Sequence, residues 1–285
     1  ENFYQKTVGS KASTPIEVVD MGLRGFTRKI GILKDYNANF QCGQCHNAAN
    51  RYLTYKWLKD DKPVRPEDLQ KAGVSPYATE FFKDPLESWA WFKAKGWHQG
   101  VNGTTGVHYV NGSDHPHVEI MLQSKHGQAG VTCTDCHFAR KADGKAEHQP
   151  SLVKLKVENT CMRSACHGPG SKSNWTDPGQ ALYTIEAIQQ EYRIRVQKME
   201  MAAKDAQRIF MKLKAGEASL PQEVKEKLET SYEKYLSARD WYLTDLSSGF
   251  HDPEGFNRTV SVVTWELRKT NAAAQGALKK TPVKQ

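Results

Sequence analysis

Three times in this chain a histidine directly follows a cysteine that has a second cysteine a few positions upstream. Cys42-Gly-Gln-Cys45-His46 and Cys133-Thr-Asp-Cys136-His137 leave two residues between the cysteines, and Cys161-Met-Arg-Ser-Ala-Cys166-His167 leaves four. Cys-x-x-Cys-His is the signature of c-type haem attachment. The spacing follows from the chemistry: two thiols must reach the two vinyl groups of one porphyrin, and the next imidazole must turn back onto the iron. The motifs use all six cysteines. They predict three covalent c-type haems on Cys42, Cys45, Cys133, Cys136, Cys161 and Cys166, with His46, His137 and His167 as proximal ligands.

Zinc sites also pair cysteines at this spacing, but they do not require a histidine fused to the second cysteine each time. Three disulfides would use six cysteines too, yet 285 residues give length enough for a core without such staples. No apolar run approaches the roughly 20 residues of a membrane span. With 38% hydrophobic and 25% charged residues, the sequence fits a soluble globular chain of one large or two smaller domains. The formal charge of +8 partly compensates haem propionates. With no basic-aromatic nucleic-acid motif, the remainder suits steering of an acidic redox partner or a small anion. Covalent haem is attached after export, so the expected location is periplasmic or extracellular.

Taken in order, residues 1–41 contain neither cysteine nor histidine. STPIEVVDMGLRGFTRKIGIL suggests one short helix, with Ser13 or Thr14 as cap and an early proline, and NAANRYLTYKWLKDD suggests another. LESWAWFKAKGWHQG places Trp89, Trp91, Phe92 and Trp97 close together, for packing on porphyrin faces and core. Residues 96–112, with glycines at 96, 100, 103, 106 and 112, read as loop. SDHPHVEIMLQSKHG then begins a short helix presenting His115, His117 and His126.

Beyond His167 the pattern changes. Leu182, Ile185, Ile188, Tyr192, Val196, Met199, Ala206, Ile209 and Leu213 recur at threes and fours, as on one face of a helix that starts at Asp177-Pro178. GEASLP ends it. Val224, Leu228, Tyr232, Tyr235, Tyr242 and Leu246 mark a second helix that stops at SSGFHDPEGF, and a third runs from about Pro253 to Ala277. The expected fold is mostly α: an irregular multihaem-binding region over residues 1–175, then a bundle of long helices over 176–285. Tyrosines and methionines on these faces are read as core.

CGQCH, HPHVE, KHGQAGVTCTDCH, EHQP, a further cysteine-histidine site and long helices interrupted by HDPEG follow one another across most of residues 30–275. This series resembles the carboxy-terminal half of the pentahaem cytochrome c nitrite reductase family, whose core is shared by octahaem hydroxylamine oxidoreductase-like cytochromes. The resemblance implies that the Cys42/Cys45/His46 site is the family's third haem, Cys133/Cys136/His137 its fourth and Cys161/Cys166/His167 its fifth. It also implies that His126 is the distal ligand opposite His167, and His251 the distal ligand opposite His137. His148 matches the distal ligand of the family's second haem, and His115 its active-site histidine. A plainer reading of His251 is that it caps a helix end.

The departures from the family are specific. Its catalytic haem sits on Cys-x-x-Cys-Lys, which does not occur in this chain. Where the family's calcium site needs acidic, tyrosine, lysine and glutamine side chains, this chain has Ala48, Ala49, Gly112 and Asp114, so calcium is not expected. The third motif carries two extra residues. The family's third haem takes its sixth ligand from a far amino-terminal region. Here that ligand comes either from another polypeptide or an upstream part of this one, or from His98, His108 or His117. Two functions follow. One is an electron-transfer cytochrome working with redox partner proteins, one of which could carry further haems. The other is a fragment or subunit of a nitrite reductase or hydroxylamine oxidoreductase-type enzyme whose catalytic haem lies elsewhere. The resemblance further implies a homo-oligomer through the long helices.

Overall fold

The structure, a computed structural model, describes residues 16–23, 26–33, 39–43, 46, 57–71, 82–110, 115–138, 145 and 150–280. Strands β1 (Ile16–Leu23) and β2 (Phe26–Leu33) run antiparallel, from Ile16 opposite Leu33 to Leu23 opposite Phe26. The short helix expected here is therefore a hairpin. β-Branched Ile16, Val18, Val19, Ile30 and Ile32 favour strand.

Helix α1 (Asn39–Gly43) carries Cys42. Positions 47–56 of the next expected helix lie outside the described residues. Its end is a strand and a turn instead: β3 (Leu58–Lys59) turns back into β4 (Lys62–Pro63) through Asp60 and Asp61, at φ 50° and 58°. Aspartate tolerates this left-handed region better than most residues. Helix α2 (Pro66–Lys71) follows, then α3 (Pro85–Ala94), where the Asp84 carboxylate accepts from the Leu86 and Glu87 amides, both at 2.9 Å. The glycine-rich segment is not wholly loop. Its β5 (Trp97–His98) pairs with β3, and Val101 bridges to His108.

Three short helices then carry histidines and cysteines: α4 (His117–Gln123), α5 (Lys125–Gln128) and α6 (Cys133–His137), followed by a 3-10 turn, Pro150–Lys156. Helix α7 (Pro178–Lys214) begins at a capping box, with Asp177 accepting from Gly179 at 3.0 Å and Gln180 reaching back to the Asp177 amide at 3.2 Å. Such reciprocal bonds satisfy amide donors that a helix start leaves open. Helices α8 (Gln222–Leu243) and α9 (Pro253–Lys280) complete the set. Leu246, expected on the buried face of α8, lies past its end and is 78% exposed.

Ala202, Ala203 and Ala206 are buried on α7, and their small side chains let α9 approach until Asn271 Nδ2 donates to the Ala202 carbonyl at 2.8 Å. The main core crosses position 175: Trp57, Phe82, Phe92 and Trp97 share one cluster with Met199, Tyr232, Trp241 and Leu267. Phe92 lies against Trp57 at 3.9 Å between ring centroids, and Trp91 meets Phe92 edge-on at 4.7 Å. Lys93 Nζ donates to both carboxylate oxygens of buried Glu233, at 2.6 and 2.8 Å, and Trp89 Nε1 reaches the same group at 3.3 Å. No helix among the described residues is long and apolar enough to cross a membrane.

Candidate haem centre

Two of the attachment motifs, the first and the third, are closed by a bond from the histidine amide to the first cysteine's carbonyl. In α6 a capping box between Thr132 and Asp135 starts a single helical turn, and cysteines three apart on such a turn stand on one side of it. At the first motif the His46 amide donates to the Cys42 carbonyl at 2.9 Å; at the third the His167 amide donates to the Cys161 carbonyl at 3.0 Å. The two extra residues of the third loop are thus taken up inside the same closure, by Cys166 and Gly168 amides donating to the Arg163 carbonyl at 2.8 and 3.0 Å. Asn39 Oδ1 accepts from the Cys133 amide at 2.7 Å and ties the first motif to the second. Arg163 Nη2 reaches Asp135 Oδ1 at 3.3 Å and ties the second to the third.

Cys42, Cys133, Cys136, Cys161 and Cys166 are each of intermediate exposure. Burial, then the neighbouring Cys42, pushes Cys133 up to about 12. Burial, then Cys161, pushes Cys136 up to about 11. Cysteines of successive motifs therefore neighbour one another. Cys45 lies outside the described residues.

Two pairs of histidine rings face one another. The rings of His126 and His167 are 5.9 Å apart at 89°, and those of His137 and His251 are 6.1 Å apart at 58°. A metal between two imidazoles, with bonds of about 2 Å to each, holds the ring centres about 6 Å apart, so both pairs fit an axially ligated iron. Each imidazole of the first pair is followed by a glycine. A Cβ on Gly127 would run into the Met121 carbonyl, and one on Gly168 into the Met162 carbonyl, so these chain paths require glycine. His167 is oriented by Ser173 Oγ, 2.9 Å from its Nδ1, and by Trp175 against its face at 4.6 Å. His251 is oriented by Asp245, whose Oδ1 lies 3.0 Å from its Nδ1. Burial works to raise the Asp245 pKa, but the bonds from His251 and Ser247 outweigh it and hold the carboxyl at about 2. Nδ1 of His251 is therefore the donor in this pair.

A second cluster gathers His46, His115 and His117, whose ligand atoms all lie within 4.8 Å of one another. His46 Nδ1 and His117 Nδ1 are 3.0 Å apart, and the His46 and His115 rings meet at 5.8 Å. His115 is held at φ 70°, a left-handed conformation uncommon outside glycine. Of the three local candidates for the sixth ligand of the first site, the structure brings His117 to His46. It stacks His98 on His108 at 4.4 Å instead. Burial, then the nearby His251, lowers His117 to about 4, and burial, then His167, lowers His126. Both shifts favour the neutral imidazole, the form that ligates metal. His148 and the positions compared with the calcium site, Ala48, Ala49, Gly112 and Asp114, lie outside the described residues. Asp245, Asn39, Ser173 and Trp175 were not visible as site residues in the sequence. Each is an ordinary polar or aromatic residue whose role depends on where a turn places it.

Residues 37–285 match the cytochrome c552 family. Among curated relatives, a cytochrome c-552 of Bacteroides thetaiotaomicron is 28% identical over 138 residues, covering 44% of this chain and 22% of the relative. A cytochrome c nitrite reductase subunit NrfA of Nitratidesulfovibrio vulgaris is 23% identical over 223 residues, covering 74% of this chain and 40% of the relative. A solved cytochrome c nitrite reductase from Desulfovibrio desulfuricans superposes with a TM-score of 0.60 at 19% identity, over 85% of this chain and 48% of its own. The chain thus spans less than half the length of these proteins. It belongs to the cytochrome c552 family and is a multihaem c-type cytochrome with covalent haem.

Proposed function

We propose that this chain binds three c-type haems and passes electrons along them between redox partners outside the cytoplasmic membrane. Bound haem supplies one-electron exchange at its iron; the protein supplies attachment, axial ligands and orientation. Cys42 with Cys45, Cys133 with Cys136 and Cys161 with Cys166 are the attachment pairs, and His46, His137 and His167 the proximal ligands. The observation that carries this reading is the pair of imidazole couples, His126 with His167 and His137 with His251, at 5.9 and 6.1 Å. Two axial histidines leave no open position for a substrate, which suits a carrier. Under this reading His117 is the first site's sixth ligand, its Nδ1 parting from that of His46, now 3.0 Å away, to the roughly 4 Å that two bonds to one metal span. Residues 1–175 form the haem-binding region and 176–285 the helical part, through which copies of the chain associate. No calcium is expected.

A second reading, part of a nitrite reductase-type enzyme, is favoured by the overlap with about half of one, at 48% of its length, and gives His115 and His148 roles beside haems carried elsewhere. Intact-mass measurement of the purified holoprotein is expected to exceed the polypeptide mass by three haems, and its spectra to show low-spin iron throughout. A mass excess of two haems would remove the third site. A high-spin fraction that disappears on adding a native partner would favour the second reading. His126→Ala and His251→Ala are each expected to convert one low-spin haem to an open or differently ligated one and to raise its potential; unchanged spectra in both would reject the axial assignments.

A further inference from the structure

Asp245 lies two residues past the end of α8, with no exposed side-chain surface. Its Oδ1 accepts from the Ser247 amide at 3.1 Å and faces His251 Nδ1 at 3.0 Å; its Oδ2 accepts from Ser247 Oγ at 2.6 Å and the Gly249 amide at 3.2 Å. All these donors belong to one tight turn, in which Ser248 and Gly249 take φ 53° and 80°. The turn is fastened by Gln189 Nε2 donating to the Ser247 carbonyl at 2.9 Å, and by the His251 amide donating to Ser247 Oγ at 3.0 Å. Asparagine or serine would satisfy the turn amides alone. A buried carboxylate is costly to desolvate, and its ion-pair neighbours among the described residues are imidazoles, His251 and, at 3.9 Å, His117. The charge therefore serves the rings.

We infer that Asp245 is the positioning residue for His251: it fixes the tautomer with the proton on Nδ1, leaves Nε2 as the lone-pair nitrogen towards His137, and makes the ring a stronger donor. This inference rests on the proposed His137 and His251 axial pair. A carboxylate behind a ligating histidine fixes ring orientation and raises its basicity. A more basic axial ligand stabilises ferric over ferrous iron, so Asp245 keeps the potential of this site low.

The test is a potentiometric titration of the holoprotein, followed by visible and electron paramagnetic resonance spectra, on four variants. Asp245→Asn is expected to keep haem mass and low-spin character, to raise one of the three midpoint potentials and to move one low-spin signal. Asp245→Glu is expected to recover part of the shift. Ser247→Ala removes a competing donor from the carboxylate and is expected to move the same potential the other way, so it tests the idea even if Asp245→Asn does not fold. His251→Met reports on the axial pair itself. If His251→Met alters one haem while Asp245→Asn and Ser247→Ala leave every potential and signal unchanged, the role of Asp245 is overturned and the axial pair stands. If His251→Met changes nothing, the axial pair falls first.

Discussion

The helical stretch and the haem-binding stretch bury different chemistry. Along α7, α8 and α9 the largest fully buried side chains are aliphatic, aromatic or thioether: Met199, Leu228, Tyr232, Trp241, Val263 and Leu267 are at most 1% exposed. In the haem-binding stretch, Cys133, Cys136, Cys161, Cys166, His137 and His167 are all of intermediate exposure. The helices carry most of the main core, which Trp57, Phe92 and Trp97 of the other stretch complete. The attachment side chains of the other are set to frame a group that the polypeptide does not itself provide.

The largest break of this contrast is Cys133→Ala with Cys136→Ala. The mass excess is expected to fall from three haems to two, and limited proteolysis to open new sites upstream of Thr176 while Pro178–Lys280 stays protected. New cleavage inside α7 to α9 would mean that the helices depend on the haem as well. The converse break is Trp241→Ala, at a side chain 1% exposed. It is expected to cost about 3–5 kcal/mol in a denaturant titration, with the mass excess unchanged. Loss of a haem in that variant would show that the attachment sites fold only on a finished bundle.

The same contrast decides what the sequence made legible. Helical periodicity located α7 and α8 and the start of α9, because each buries one continuous apolar face; Leu246 failed because Leu243 already ends α8. The Cys-and-Cys-His motifs identified the cofactor through its covalent chemistry. The proposed axial pairs came from the resemblance, since His126 and His167, like His137 and His251, are brought together by tertiary structure. The sequence of the amino-terminal hairpin suggests a helix because its apolar residues fit either period over so short a run. Asp245 was invisible because an aspartate at a helix end ordinarily faces water; here the turn at Ser248 and Gly249 folds it inward.

Between the two regions stands the Lys93 to Glu233 bridge from α3 to α8, with side chains 46% and 4% exposed. Lys93→Met strands a buried carboxylate whose remaining partner is Trp89. It is expected to cost about 1–3 kcal/mol. Glu233→Gln, which keeps an acceptor for Trp89, is expected to cost less. Equal losses in both variants would indicate that the bridge acts by shape alone.

The smallest expected effect tests how the attachment loops are joined. Arg163 occupies the longer spacer of the third motif; its Nε donates to the Thr160 carbonyl at 3.2 Å and its Nη2 to Asp135 at 3.3 Å. Asp135 is also the residue that closes the capping box of the second motif. The ion pair is about two fifths exposed on the arginine side, 40% against 35% for the aspartate, so water and salt screen it and its direct worth is below about 1 kcal/mol. Arg163→Ala is expected to lower the melting temperature slightly at low salt, to converge on the parent protein as salt is raised, and to leave the covalent haem mass unchanged. A deficit that persists at high salt would mean that the guanidinium acts through its bond to the Thr160 carbonyl, shaping the third loop. Loss of one haem would go further, because then the two extra residues are needed for attachment itself, and the second and third sites must be assembled as one unit.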